Sequence, residues 1–246
     1  MFPGATVIRL PMVDSTNNYA AMLLKTSKVA EGTAIMADEQ THGRGQRGNS
    51  WQSEDNKNLT VSFVFYPTLL ETGNYFLWGM AVSLAVRKLV HVQGVPNVSV
   101  KWPNDVLVGT KKIAGILIEN AWNAGKLHSS IVGIGLNVNQ LRFGDKVNAT
   151  SLHLLVGQEF SRKRLLEILS SYLQKAYIDL RSAKFDSLRS EYHQYLYGKD
   201  LSKTFFLANG TEFTGIVREV SDNGKIMIER ESGLSSFEMK DITWSY

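Results

Sequence analysis

Between Val98 and Asn137 the chain runs through four strand-like segments with turn residues between them and no helical pattern: Val98 to Lys101, Val106 to Val108, Ile113 to Glu119 and Ser129 to Asn137. A doubly wound sheet needs strands and helices in regular alternation, and this stretch breaks that alternation. The chain therefore reads as α+β. Ahead of it lie strand-like segments at Thr6 to Leu10, Thr33 to Asp38 and Leu59 to Tyr66. Asp14-Ser15-Thr16 reads as a helix start before Tyr19, Ala20, Leu23 and Leu24, and Asn74 as the cap of a core helix reaching about His91, apolar nearly all round. Behind it, Ser161 is placed to cap a helix carrying Leu165, Leu169, Leu173 and Leu180, and a second helix runs from about Phe185 to Leu196. After Gly198 the pattern changes again. Short alternating segments around Ala208-Asn209-Gly210 and Ser221-Asp222-Asn223-Gly224 carry hairpin signals and predict a small all-β barrel. The expected division is residues 1–196 and residues 197–246.

A chain of 246 residues, 43% hydrophobic and 20% charged, can bury a core without covalent staples. It has no cysteine, which excludes disulfides, thiolate zinc sites and a cysteine nucleophile. That absence is compatible with a reducing compartment, and a cytoplasmic protein is expected. MFPGATVIRL lacks a charged start followed by an apolar run, so no signal peptide is expected. Trp78 to Val90, the longest apolar candidate, is interrupted by Arg87 and Lys88, so no membrane span is expected. A net charge of +4 favours anionic ligands without indicating nucleic acid.

Gly43-Arg44-Gly45-Gln46-Arg47-Gly48 spells G-x-G-x-x-G. A dinucleotide turn must follow a strand and open a helix. Here Asn49 to Asn58 is a polar loop that leads into a strand, so that reading fails. A kinase glycine loop fails too, because Ser50 stands where valine is needed and no catalytic-loop signature follows. The stretch still has anion chemistry. Glycines let backbone N–H groups approach an anion, and Arg44 and Arg47 add planar forks suited to phosphate. A flexible solvated loop with incidental arginines is an equally simple reading of these residues alone. Three other segments add weight: Lys101-Trp102-Pro103-Asn104-Asp105, a rigid turn flanked by charges; Lys111-Lys112-Ile113-Ala114-Gly115, a basic pair entering an apolar strand; and Gly133-Ile134-Gly135-Leu136-Asn137. Glycines inside an apolar strand weaken it unless something packs closely on the backbone, whether a helix or a ligand. Of the two lysines, Lys112 sits beside the apolar run and is the better candidate for a charge aimed at a ligand.

In this order the segments resemble the biotin protein ligases. The resemblance rests on Asp14-Ser15-Thr16-Asn17, Glu39 to Gly45, Lys101 to Asp105, Lys112 to Gly115, Gly133 to Asn137 and Ala149 to Leu152, and it spans nearly the whole chain. It implies a mixed sheet flanked by helices, akin to class II aminoacyl-tRNA synthetases, with an SH3-like C-terminal domain. It implies synthesis of biotinyl-adenylate from biotin and ATP with Mg²⁺, then transfer of biotin to a lysine on the carrier domain of a biotin-dependent carboxylase or decarboxylase. Carried over, Ser15, Thr16, Asn17, Gln40, Gly43, Arg44, Gly45, Gln46, Lys112, Gly115, Gly133 and Gly135 would bind biotin. Arg44, Arg47, Trp51, Lys112 and Asn137 would bind ATP. Arg44, Lys112 and Asp105 would serve the chemistry, with Asp105 also a candidate Mg²⁺ ligand. The loop from Thr41 to Asn56 is expected to be loose without ligand. Asp14 already matches the family, so a form without an N-terminal DNA-binding domain is expected. The family commonly reads Gly-Arg-Gly-Arg where this chain has Gln46, which can hydrogen-bond a phosphate but adds no charge.

Two other readings compete. A lipoate or octanoate ligase on the same scaffold would want a long apolar channel, whereas Ser15, Thr16 and Gln40 suit a compact polar head group. A non-catalytic nucleic-acid-binding protein would want an aromatic-studded basic stripe, which the sequence lacks. No G-x-S-x-G supports a hydrolase, and the five histidines have no metal-ligand spacing. An exposed strand edge could pair with a second copy of the chain or with the acceptor.

Overall fold

The structure is a computed structural model and describes residues 5–144 and 147–244. It opens with β1 (Val7–Val13), α1 (Thr16–Thr26), β2 (Ala34–Gln40) and β3 (Leu59–Phe65). There follow α2 (Phe76–His91), β4 (Val98–Lys101), β5 (Asp105–Val108), β6 (Lys111–Asn123) and β7 (Lys126–Leu136). Three helices come next: α3 (Leu152–Val156), α4 (Arg162–Arg181) and α5 (Phe185–Gln194). The chain closes with β8 (Ser202–Leu207), β9 (Glu212–Val220), β10 (Ile226–Arg230), β11 (Gly233–Phe237) and β12 (Ile242–Trp244).

The first seven strands form one sheet in the order β1-β2-β3-β7-β6-β5-β4. The β1–β2 pair is parallel and the remaining pairs are antiparallel, so the sheet is mixed, as expected. β3 reads LTVSFVF and is buried at every position, which marks it as a central strand rather than an edge. α2 covers one face and buries nearly its whole circumference between the sheet, α4 and α5. Its Arg87 is satisfied inside: Nε donates to the Val98 carbonyl at 3.1 Å, and the guanidinium lies 3.3 Å from the centre of the Tyr195 ring. No helix among the described residues is long and apolar enough to cross a membrane.

The last five strands form a second, antiparallel sheet in the order β11-β10-β9-β8-β12. Its interior is aromatic, with Phe205 stacked between Phe213 and Trp244 at centroid distances of 5.3 Å each. It meets the first part of the chain through paired polar groups. Arg189 of α5 forks onto Asp222 at 2.6 and 2.7 Å, and the Trp102 indole donates to the Gly224 carbonyl at 3.0 Å.

One local expectation is corrected. Asn74 does not cap α2; its Oδ1 accepts the Glu71 N–H at 2.8 Å, and the helix starts two residues later at Phe76. The segment after Gly48 is the loop the sequence implies, and backbone contacts tie its start to the glycines before it. Gly45 donates to the Asn49 carbonyl at 2.7 Å and Trp51 to the Gly43 carbonyl at 2.9 Å, so residues 43–51 fold back into a small hairpin.

Candidate functional site

The site begins as missing side chains. In the β6–β7 register Gly115 faces Gly135 and Leu117 faces Gly133; across β3, Gly135 faces Thr60 and Gly133 faces Ser62. One row, Thr60–Gly135–Gly115, thus carries small or absent side chains over three adjacent strands, and the next carries Ser62 and Gly133 beside Leu117. A Cβ on Gly135 would fall 2.3 Å from the Trp51 indole, and one on Gly133 would fall 2.4 Å from Asn17 Oδ1. A Cβ on Gly43 would meet the Trp51 carbonyl at 2.3 Å. The glycines therefore let the hairpin and the first turn of α1 lie directly on the sheet, enclosing a cavity of about 220 Å³. Gly43 is buried behind that cavity's wall rather than among its lining residues.

One wall is polar. Ser15 stands at the N-cap of α1 in extended backbone and makes no side-chain cap hydrogen bond. Gln40 does that work from β2: its Oε1 accepts the Thr16 N–H at 2.8 Å. The Thr16 hydroxyl lies 2.7 Å from that of Ser62, which lies 2.6 Å from Asn17 Oδ1, and Asn17 Nδ2 donates to Glu119 Oε2 at 2.7 Å.

Two cations also line the cavity. Arg44 reaches Glu119 Oε1 at 2.7 Å and Asn18 Oδ1 at 2.8 Å from its two terminal nitrogens. Lys112 Nζ pairs with Asp105 at 2.7 Å and stands 5.7 Å from the Trp51 ring centre. Lys112 shares the cavity with Gly115 although strict alternation would put residues three apart on opposite faces. The register shift between Val106 and Leu107 resolves this, because a bulge re-aims the residues around it. Lys101 lies close behind, 8% exposed, and burial pushes its ammonium down to about 8 while Asp105 draws it upward. Asn104 holds the turn against β6 by exchanging hydrogen bonds with the Ile116 backbone at 2.9 Å.

Ser15, Thr16, Asn17, Gln40, Arg44, Gly45, Gln46, Trp51, Asp105, Lys112, Gly115, Gly133 and Gly135 all line this one cavity. Asn137 does not line it; it is buried, with Nδ2 donating to the Thr150 carbonyl at 3.0 Å. The side chain of Arg47 lies outside the described residues. Sequence reasoning missed Asn49, Ser50, Thr60 and Asn104, which also line the cavity, and Glu119 and Ser62, which hold its wall. Asn104 was visible within Lys101 to Asp105; nothing in the sequence singled out the others.

Residues 10–137 match the model of the biotin/lipoate A/B protein ligase family, and the chain belongs to that family. Among curated proteins it is 29% identical to the bifunctional ligase/repressor BirA of Bacillus spizizenii, over 97% of this chain and 74% of that protein. It is also 26% identical to the biotin–[acetyl-CoA-carboxylase] ligase of Paracoccus denitrificans, over 91% of this chain and 94% of that one. Among solved structures, the biotin protein ligase of Aquifex aeolicus in complex with biotin and ATP superposes with a TM-score of 0.80 at 28% identity, covering 97% of this chain and 98% of that one.

Proposed function

We propose that this chain is a biotin protein ligase. It joins the biotin carboxylate to the AMP portion of ATP with release of pyrophosphate, and then passes biotin to a lysine on the carrier domain of a biotin-dependent carboxylase or decarboxylase. The observation that carries this reading is one cavity with two chemistries. Its polar wall (Gln40, Thr16, Asn17) suits a ureido head group, and Arg44 and Lys112 line the same cavity as the cations that a carboxylate and a phosphate would need. The family and the relatives named above support it.

The first step brings two anions together while charge accumulates on the phosphoryl oxygens. Arg44 and Lys112 each hold a carboxylate, Glu119 and Asp105 respectively, and a phosphate would compete for both cations. Trp51 lies flat on Gly115 and Gly135, where it would wall the biotin chain and exclude water from the mixed anhydride. Among the described residues no cluster of three His, Asp or Glu side chains stands ready for a metal. Mg²⁺ takes few protein carboxylates beside substrate phosphates, and Asp105, the one carboxylate among the cavity's lining residues, would hold it there. The ion would neutralise phosphate charge. In the second step an acceptor lysine needs little more than orientation, because the anhydride is already reactive.

A cavity of about 220 Å³ with a hydrogen-bonding wall favours a compact polar head over a long acyl chain. The deciding experiment incubates the protein with ATP–Mg²⁺, a carrier domain and either biotin or lipoate, and weighs the carrier afterwards. A biotin-sized mass gain only in the biotin reaction is expected; a gain with lipoate alone, or none with either, overturns the reading. The acceptor's identity, a cytoplasmic setting and a homodimer belong to the same proposal, and co-purification with a carrier and sedimentation of the protein test them.

A further inference from the structure

The polar wall ends on a residue outside every motif the sequence displayed. Glu119, on β6, takes Asn17 Nδ2 at 2.7 Å on one oxygen and Arg44 at 2.7 Å on the other. The Glu119 carboxylate and the Leu117 carbonyl, which lies 3.3 Å from Asn17 Nδ2, both only accept, so Asn17 presents its amide nitrogen to them and its oxygen to Ser62, with Glu119 the shorter and charged partner. Ser62 is 0% exposed and has one proton for two short contacts. Asn17 Oδ1 cannot donate, so the Ser62 proton goes to it, and the Thr16 hydroxyl, 2.7 Å from Ser62 and 3.1 Å from Gln40 Oε1, spends its one proton on those two oxygens. Gln40 Oε1 is already met by the Thr16 N–H. With these directions set, Thr16 has only oxygen lone pairs left for a ligand, and Gln40 has its amide N–H groups. Acceptor beside donor is the complement of a cyclic urea, whose N–H donates and whose carbonyl accepts.

We infer that Glu119 is a positioning residue that fixes the direction of this hydrogen-bond chain, and with it the donor–acceptor order presented to a cyclic urea head group, while parking Arg44 against the wall until a phosphate arrives. This rests on the biotin reading of the site. Neither role depends on Glu119 touching a substrate.

Calorimetric titration of biotin into the wild type, Glu119→Gln, Asn17→Ala and the double variant tests the wall. Glu119→Gln leaves the Asn17 amide held only by its longer contact to the Leu117 carbonyl and should weaken biotin about tenfold, the scale of one charge-assisted hydrogen bond, with no rise in the KM for ATP. The double variant should be no weaker than the weaker single variant, since both cut the same chain. Limited proteolysis of residues 41–56 without ligand tests the parking of Arg44 and needs no biotin; Glu119→Gln should be cleaved faster than the wild type. Should Glu119→Gln fail to fold, Glu119→Asp, one methylene short of both partners, should show the same losses. Wild-type biotin affinity together with wild-type cleavage in a folded variant overturns the inference alone. A wild type that takes no biotin overturns the functional reading and the urea role with it, and unchanged cleavage then removes the parking role as well.

Discussion

In the seven-stranded sheet, glycines sit in mid-strand and hold space: a methyl group on Gly135 or Gly133 would strike Trp51 or Asn17 at 2.3 or 2.4 Å. In the five-stranded sheet, Gly215 of β9 likewise makes room, for Ile228, but Gly210 in the β8–β9 turn has a φ of +84° with no atom within 4 Å of an added Cβ and serves the turn alone. The interiors differ in the same sense. Phe205, Phe213, Phe237 and Trp244 fill the small sheet ring against ring, whereas the floor of the large one carries Thr60, Ser62 and two glycines between apolar neighbours. A surface that gives up packing over three strands needs a compensating ligand or loop, and here the Trp51 hairpin covers it. A surface packed to completion supports itself and leaves little for chemistry.

Trp244→Ala is the severest challenge to that contrast. Removing an indole stacked on Phe205 should destabilise the protein by about 3–5 kcal/mol, read as a shift of the urea midpoint. A loss under about 1 kcal/mol would mean the small sheet does not depend on its aromatic interior. Arg44→Ala and Lys112→Ala should each slow biotin-dependent pyrophosphate release roughly 10²–10³-fold while leaving the urea midpoint almost unmoved. A near-normal rate in both would separate the cavity from the chemistry. The glycines give a paired test. Gly135→Ala overpacks the floor, a disturbance on the order of 1–3 kcal/mol that should fall mainly on ligand affinity. Gly210→Ala should lower only stability, through its left-handed backbone. Equal effects of the two on biotin binding would erase the distinction.

The smallest expected effect lies at the seam. His193 of α5 shares a close contact with the Val220 backbone, and burial holds its imidazole below the usual histidine range. The unfolded chain therefore takes the proton first as pH falls, so stability should decline below about pH 6.5 until the folded imidazole also titrates. His193→Gln should flatten that part of a urea-midpoint profile; an unchanged profile assigns the acid sensitivity elsewhere.

Much of the scaffold could be read in advance because its patterns are long or local. β3 and α2 announce themselves by unbroken burial, and Ser161 caps α4 as read, its hydroxyl accepting the Arg164 N–H. The misses are short or compete with a neighbour. α3 spans five residues and β12 three, too few for a period to show. Asn74 had two backbone partners to choose from, and the turn at Glu71 took it. In the site, motif residues were legible because their types are unusual where they stand: two glycines in an apolar strand, a lysine entering one. Glu119 was not, since a glutamate on a strand is unremarkable until Asn17 and Arg44 arrive from 102 and 75 residues away.

By itself the sequence determined which of the longer elements form, that strands and helices would not alternate, and which residues could supply cations to an anionic ligand. Those follow from side-chain periodicity, turn chemistry and ionisation, all of them local properties. Only the tertiary structure decided that Gly115, Gly135 and Thr60 share a row, that a bulge in the β5–β6 pairing turns Lys112 toward the cavity, and that one carboxylate orders a wall built from α1, β3 and β6. Register and bulges are settled between strands by the whole set of pairings and the packing on both faces, and no window of residues along a single strand contains that information.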